Sequence, residues 1–475
     1  MNRRQFLATA TAGAGLAAMP ASALAMGNAG QFLDIQGHQI VKDGKAIRLR
    51  GTNLGNWMIL EAYMMGFPSV EYHMRSTMRA MLGEERFHAF FDTFMDASIR
   101  DSDIAFLKGC GFTLLQVPFN YRHFLSDGTT AGFEGKGFEY LDRVIALCRR
   151  HGLYVLLSCH AAPGCIARDW NAESSCGEVY FWHHDHFQDR TADMWRAIAS
   201  RYRDEPVVMG YELLNEPVAD NLDVFHHVNM KLLHAIREVD KRHIVVINAN
   251  MWGQRIDSLR DELFEDPRTM PSTHAYPTTK EPWKSLKSFP DEFEGKAVGL
   301  EQLRNFLESR HDEQRIHRPL LIGEFGTPQS CTIRTELLDA LLVIFENMEW
   351  HWTSWDYKDL FSLGIVSPRP DTPWVQFVTS EPVKRITKAF LEYIPSMRDH
   401  FAQAVPQFSA EDLFLLTYQC RHHFDTLALP LVVGLLKDRS ASDLKAMAES
   451  YAFENCKIEG DRHAVLVKYA LSGKR

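Results

Sequence analysis

The sequence predicts a (β/α)8 barrel: an α/β fold with an N-terminal β-hairpin and a mainly helical C-terminal extension. Two observations lead there. Eight short apolar runs recur along the chain, separated by stretches of helical periodicity. Several runs are apolar on both faces, as parallel strands covered by helices must be. The length of 475 residues suits one large barrel with additions, and 45% hydrophobic against 24% charged residues supplies a large core. An open doubly wound sheet is the competing arrangement, but no glycine-rich phosphate-binding turn supports it.

The elements follow in order. Phe32–Val41, with Asp43-Gly44 after it, reads as a hairpin leading into the first strand and placed to plug the barrel bottom. The eight runs are Ala46–Asn53, Phe112–Pro118, Leu153–Cys159, Val207–Asn215, His243–Asn248, Met270–His274, Pro319–Glu324 and Trp350–Trp355. Between them, Leu141, Val144, Ile145 and Cys148 recur at helical spacing before a His151-Gly152 stop. Phe225, Val228, Leu232 and Ile236 do the same before the fifth run. Residues 26–395 are assigned to the barrel. Residues 396–475 exceed what eight repeats need; Ala410–Lys437 is apolar and helical, and Cys456–Leu471 has room for a strand or two. No Pro/Gly/Ser-rich linker precedes this extension, so it is expected to pack on the barrel.

Residues 1–25 have the layout of an export signal: Arg3-Arg4, then an Ala/Gly-rich apolar stretch ending in Ala23-Leu24-Ala25. The paired arginines resemble the twin-arginine type, which implies a periplasmic or extracellular protein. No later run of 18 apolar residues forms a stable membrane span. The net charge of -9, without a basic run, disfavours nucleic acid and fits a neutral polymer. Of the eight cysteines, Cys165 and Cys176 share a loop and are the best candidate pair. Cys110 and Cys148 fall beside a strand and in a helical stripe, where buried thiols are common, so most cysteines are expected to be free. The sequence implies no cofactor or resident metal and leaves the oligomeric state open.

Barrel enzymes carry their reactive groups where strands end. The fourth run ends Glu212-Leu213-Leu214-Asn215-Glu216-Pro217, and the seventh ends Ile322-Gly323-Glu324-Phe325-Gly326. A carboxylate directly after a buried strand is costly unless it faces a polar cleft. Two at one barrel mouth make the pair that glycosidic cleavage needs, one to protonate the leaving oxygen and one to attack the anomeric carbon.

These motifs resemble glycoside hydrolase family five, the cellulase-like family of retaining β-glycosidases, from about Phe32 to about Ile394. The resemblance implies a β-linked glucan or glucoside as substrate, with Glu216 as acid/base and Glu324 as nucleophile. Asn215 matches the residue that bonds the sugar 2-hydroxyl. His274 and Tyr276, in His-Ala-Tyr, match a pair in which the tyrosine holds the nucleophile and the histidine supports the acid/base. His160 matches a substrate-binding histidine, and Trp355 the aromatic floor under the sugar. The first strand, Arg50-Gly51-Thr52-Asn53-Leu54-Gly55-Asn56-Trp57 followed by Glu61, is similar to the exo-β-1,3-glucanase branch, in which a glutamate near this position grips the terminal glucose. A surface or helix-capping carboxylate is the plain alternative for Glu61.

One position departs from the family. The second strand usually ends Arg-x-Pro, with the arginine on the nucleophile; here it ends Gln116-Val117-Pro118. Glu324 is therefore expected to have a raised pKa, unless Arg50 or Arg122 compensates. Gln116 is also the basis for an alternative, a carbohydrate-binding barrel without turnover. His183-His184-Asp185-His186 invites a third reading, a metal-dependent hydrolase. Trp170 and Trp182, in the same long loop, either line outer sugar subsites or pin the loop. Trp350 and Trp352 are assigned to the core.

Overall fold

The computed structural model describes residues 32–472 except 127–132, 134, 175–176, 309–315, 361 and 392. The expected export signal, and Cys176 of the expected Cys165–Cys176 pair, lie outside the described residues.

Eight parallel strands close into a barrel: Arg50–Asn53, Leu114–Asn120, Tyr154–Ala161, Val208–Glu212, Ile244–Asn248, Thr269–Ala275, Leu321–Phe325 and His351–Ser354, the eighth pairing with the first. Each overlaps one of the eight expected runs, because strands buried between an inner layer of side chains and outer helices have no face turned to water. The first is shorter than its run. Lys45–Ile47 instead joins Asp34–Gln36 and Gln39–Lys42 in a three-stranded antiparallel sheet. That sheet closes the bottom as expected: Leu33, Ile35, Ile40 and Leu49 pack against Leu114, Met209 and other strand residues in a separate apolar cluster.

The outer helices form where the periodicity places them. Gly137–His151 buries Leu141, Val144, Ile145 and Cys148 and stops at Gly152 in the left-handed conformation. Leu222–Val239 starts at Asn221, whose side chain accepts from the backbone N–H of Asp223 and Val224. Burial pushes the Cys110 and Cys148 thiols up to about 12, so both are inert under ordinary conditions. No helix among the described residues is long and apolar enough to cross a membrane.

Beyond the eighth strand the chain continues without a break. Val366–Pro368 pairs antiparallel with Cys456–Ile458, and helices Pro373–Val378, Glu381–Leu391, Tyr393–Ala404, Ala410–Gly434, Ala441–Ala448 and Gly460–Ser472 surround that pairing in sequence. The Tyr393–Ala404 helix runs through positions 395 and 396. Residues 460–472, where a strand had been an option, are helical, with Arg462, Leu466, Tyr469 and Ala470 buried on one face. Lys358 ties this region to the barrel. Its buried ammonium donates to Asp103 Oδ1 at 2.6 Å, the Tyr451 carbonyl at 2.7 Å and the Ser98 carbonyl at 2.8 Å. Lys358→Met would leave the Asp103 carboxylate buried beside an apolar group, so we expect a loss of about 3–5 kcal/mol in urea unfolding.

Candidate active site

The ends of most of the strands and the loops that follow them build the site at the top of the barrel. The fourth strand ends inside it, at fully buried Glu212. Ser158 Oγ and Ser272 Oγ each donate to this carboxylate at 2.6 Å, Gln116 Nε2 at 2.8 Å and Asn248 Nδ2 at 3.4 Å. Burial pushes the Glu212 carboxyl above its ordinary range, while nearby His274 and these donors act in the opposite sense.

Four residues on, Glu216 adopts a left-handed backbone, φ +50°, a strain of about 1–3 kcal/mol for a residue with a side chain. The turn carries its carboxylate to the mouth. There Oε1 lies 2.7 Å from His274 Nδ1, and Oε2 accepts from Asn171 Nδ2 at 2.5 Å. On the seventh strand the register against the sixth shifts between Ile322 and Glu324, which sets Glu324 opposite His274. Bulges of this kind re-aim side chains. The Gly323 carbonyl in the bulge accepts from Thr353 Oγ1 at 2.6 Å and Asn53 Nδ2 at 3.1 Å.

Glu324 Oε2 accepts from the Tyr276 hydroxyl at 3.0 Å and lies 3.6 Å from His274 Nδ1. Oε1 is 3.8 Å from His160 Nε2. One oxygen of each glutamate and a His274 nitrogen lie within 4.8 Å of one another. Gly253, φ +70°, permits this packing: a Cβ there would stand 2.9 Å from His274 Cγ.

The electrostatics follow from burial. Burial works against a charge on His274, yet Glu324, Glu216 and Glu212 together raise its pKa to about 9. The carboxylates around it thus favour its protonated form. Burial, then Glu216 and Glu61, hold Glu324 well above the usual carboxylate range, against the pull of His274 and Tyr276. His160 is kept neutral by burial and by charged His274.

Gln116 does not take the place of the family arginine. Its Nε2 serves Glu212, and its Oε1 accepts from Thr353 Oγ1 at 2.8 Å, one layer below the mouth. The compensating arginines are also placed otherwise. Arg50 points to the barrel exterior and makes two bonds to Glu346, at 2.6 and 2.8 Å. Arg122 pairs with Glu173 at 3.0 Å. The basic side chain that does stand beside Glu324 is His274, 3.6 Å away.

A cavity of about 440 Å³ opens above the pair, lined by Glu61, His160, Asn215, Tyr276 and Trp355 among the expected residues. Trp355 stacks on His160, centroids 5.4 Å apart and planes at 16°, and its Nε1 donates to the Tyr63 hydroxyl at 2.5 Å. Glu61 is buried in the pocket wall, accepts from Trp170 Nε1 at 3.1 Å, and is raised by burial to about 8. Asn215 Oδ1, both His160 ring nitrogens, Asn171 Oδ1 and Glu324 Oε1 are buried without a hydrogen-bond partner among the described residues. Buried polar atoms are normally paired, so this set marks a place for a polar ligand.

Tyr63, Asp169, Asn171 and Trp252 also line the cavity and were not expected. Trp252 follows the fifth strand as Trp355 follows the eighth, so the strand-end rule had the signal for it. Its Nε1 donates to Asp169 Oδ2 at 2.7 Å. The two loop tryptophans divide the alternatives: Trp170 lines the pocket, whereas buried Trp182 pins the loop by donating to the Ile166 carbonyl at 3.0 Å. Trp350 and Trp352 are core residues. His183, His184, Asp185 and His186 are exposed around the start of a helix; among the described residues, the metal-type ligands that do converge are Glu216, His274 and Glu324.

A family model described as cellulase (glycosyl hydrolase family 5) matches residues 80–360. The chain belongs to that family. This glycoside hydrolase is 29% identical over 459 residues to a protein named beta-xylosidase from Phanerodontia chrysosporium, covering 90% of this chain and 95% of that one. It is 27% identical over 209 residues to a glucan 1,3-beta-glucosidase of Candida oleophila, covering 40% and 48%. It is 29% identical over 163 residues to endoglucanase C of Acetivibrio thermocellus, covering 34% and 45%. The chain thus spans nearly all of the first relative and under half of the other two. A solved glycoside hydrolase structure, 20% identical, superposes with a TM-score of 0.51 over 67% of this chain and 91% of that one, which shows the shared barrel fold.

The buried pocket carboxyl gives a pH signature. A carboxyl with a raised folded pKa holds its proton more tightly when folded. Its contribution to stability is full below the ordinary carboxyl value of about 4.5 and is lost as pH rises through about 8. The melting temperature is expected to fall over that window. Glu61→Gln, which cannot ionise, should flatten part of the decline when unfolding is followed calorimetrically.

Proposed function

We propose that this glycoside hydrolase is a retaining β-glycosidase that acts on a neutral β-linked glucan or glucoside. The observation that carries the reading is the spacing of the two glutamates, with oxygens inside 4.8 Å. Retaining enzymes hold their carboxyl groups about 5–5.5 Å apart, whereas inverting ones leave about 6.5–9.5 Å for a water.

Glu324 attacks the anomeric carbon as the glycosidic C–O bond breaks, and Glu216 delivers its proton to the departing oxygen. A glycosyl ester on Glu324 results. Glu216, now a carboxylate, takes a proton from a water that attacks the same carbon and releases Glu324. Two inversions give net retention. The Tyr276 hydroxyl and the His274 charge favour ionised Glu324 by hydrogen bond and Coulomb attraction. In this reading Asn215 bonds the 2-hydroxyl, His160 meets another hydroxyl, and Trp355 carries the C–H face of the ring. Glu61 faces the glycone end.

Glu61, Asp169, Glu216 and Glu324 line the cavity, and so many carboxyl groups disfavour a uronide. The relative matched along most of its length is named for β-xylosides, which makes a xyloside the second sugar to try. Arg3-Arg4 and Ala23-Leu24-Ala25 support an exported protein.

The test is turnover of aryl β-glucoside, aryl β-xyloside, β-1,3-glucan and β-1,4-glucan, with the anomer of the first product read by NMR. A β-product retained from a β-substrate is expected. Glu216→Gln should lower kcat/KM by about 10²–10⁴-fold, and Glu324→Gln should reduce turnover to background. An α-product would overturn retention. No turnover of any substrate would favour a sugar-binding barrel, with Gln116 as the cause.

The charge arrangement makes a further prediction. The nucleophile must be ionised in the free enzyme, and Glu324 is raised well above 4.5. The acidic limb of kcat/KM should therefore lie above the ordinary carboxylate range. Tyr276→Phe removes a donor to the ionised form and should move that limb higher still.

A further inference from the structure

The helix Ala410–Gly434 is far in sequence from the barrel strands, yet it reaches a loop that serves the pocket. The Arg421 guanidinium carbon stands 4.8 Å from the centre of the Trp170 ring. Buried His422 donates from Nε2 to the Arg168 carbonyl at 3.1 Å, and its ring centre is 6.4 Å from that of Trp170. Burial keeps the His422 imidazole neutral, with a pKa near 4, so this donor does not change across the working range of pH.

The loop at Arg168–Ser174 has little structure of its own, one three-residue 3-10 turn at Trp170–Ala172. It nevertheless delivers three groups to the site. Asp169 holds Trp252, Trp170 holds Glu61, and Asn171 holds Glu216. From the other side the loop is fixed through Glu173, which accepts from Arg122 and from the Tyr72 backbone N–H. The extension touches a second wall as well: buried Arg462 donates to the Trp355 carbonyl at 2.5 Å and the Thr327 carbonyl at 3.5 Å.

We propose that the C-terminal extension is a working wall of the active site, in which Arg421 and His422 are positioning residues that set Trp170 and, through it, Glu61, and so confine the pocket to a terminal sugar. The proposal rests on the glycosidase reading above. The mechanism is mechanical: a three-residue turn cannot by itself hold an indole and an amide against two carboxylates, and the helix behind it supplies the missing constraint.

The test compares wild type, Arg421→Ala, His422→Ala, the double variant and Arg421→Lys, with exposed Leu427→Ala as the control on the same helix. Circular dichroism and melting establish that each is folded. Amide hydrogen exchange over 168–174 is measured beside kcat and KM on an aryl β-glucoside and the products released from a β-linked oligosaccharide. The proposal expects faster exchange in that segment alone and a KM raised about tenfold with kcat changed little. It also expects disaccharide to appear among the products, with partial recovery in Arg421→Lys, which keeps the cation. Folded variants with unchanged exchange, or with unchanged KM and products, overturn it. If the wild type turns over nothing, the glycosidase reading fails. Calorimetric binding of a glucose-like imino sugar then decides the wall: affinity weakened in the double variant sustains it, and equal affinity overturns it.

Discussion

Three buried carboxyl groups around one imidazole are the constraint on which this site depends. Glu212, Glu216 and Glu324 all raise the pKa of His274. Taken singly, each carboxylate would be expensive at the top of a barrel. Together with the imidazolium they form a compact charge cluster in which removing one member reprices the others. The surrounding structure keeps the cluster in register. The strand-seven bulge brings Glu324 level with His274, the left-handed turn lifts Glu216 to the same height, and Gly253 leaves room for the ring. Three backbone features, a bulge, a left-handed turn and a glycine, thus act together on one cluster of side chains.

The barrel was legible because its physics is written in composition. A strand covered on both sides tends to be apolar, and several of the eight runs are apolar on both faces. The ends of the strands were legible for a similar reason: a carboxylate at the end of an apolar run has few explanations. Other features depended on distance through space. Gln116 sits where the family places an arginine, but whether an amide reaches the mouth or stops a layer below depends on side-chain length and on the Thr353 and Glu212 groups beside it. Arg50 is near the site in sequence pattern and far from it in space, because its position on the first strand faces outward to Glu346. Asn171 and Asp169 belong to a loop whose course no periodicity describes.

The C-terminal segment shows the same division. The apolar, helical character of Ala410–Lys437 could be read from the sequence, and the structure starts that helix at a Ser409–Asp412 capping box. Its relation to the pocket could not be read that way. Arg421, His422 and Arg462 are ordinary residues in helical sequence, and only the packing of their helices gives them meaning.

Arg462 also has a consequence in time. Its guanidinium supports the carbonyl of Trp355, an aromatic residue that lines the same cavity as the two glutamates. During synthesis, all eight strands and both glutamates leave the ribosome before residue 462 does. The Trp355 carbonyl therefore gains this donor only once the last helix of the chain has been made and has packed against the barrel.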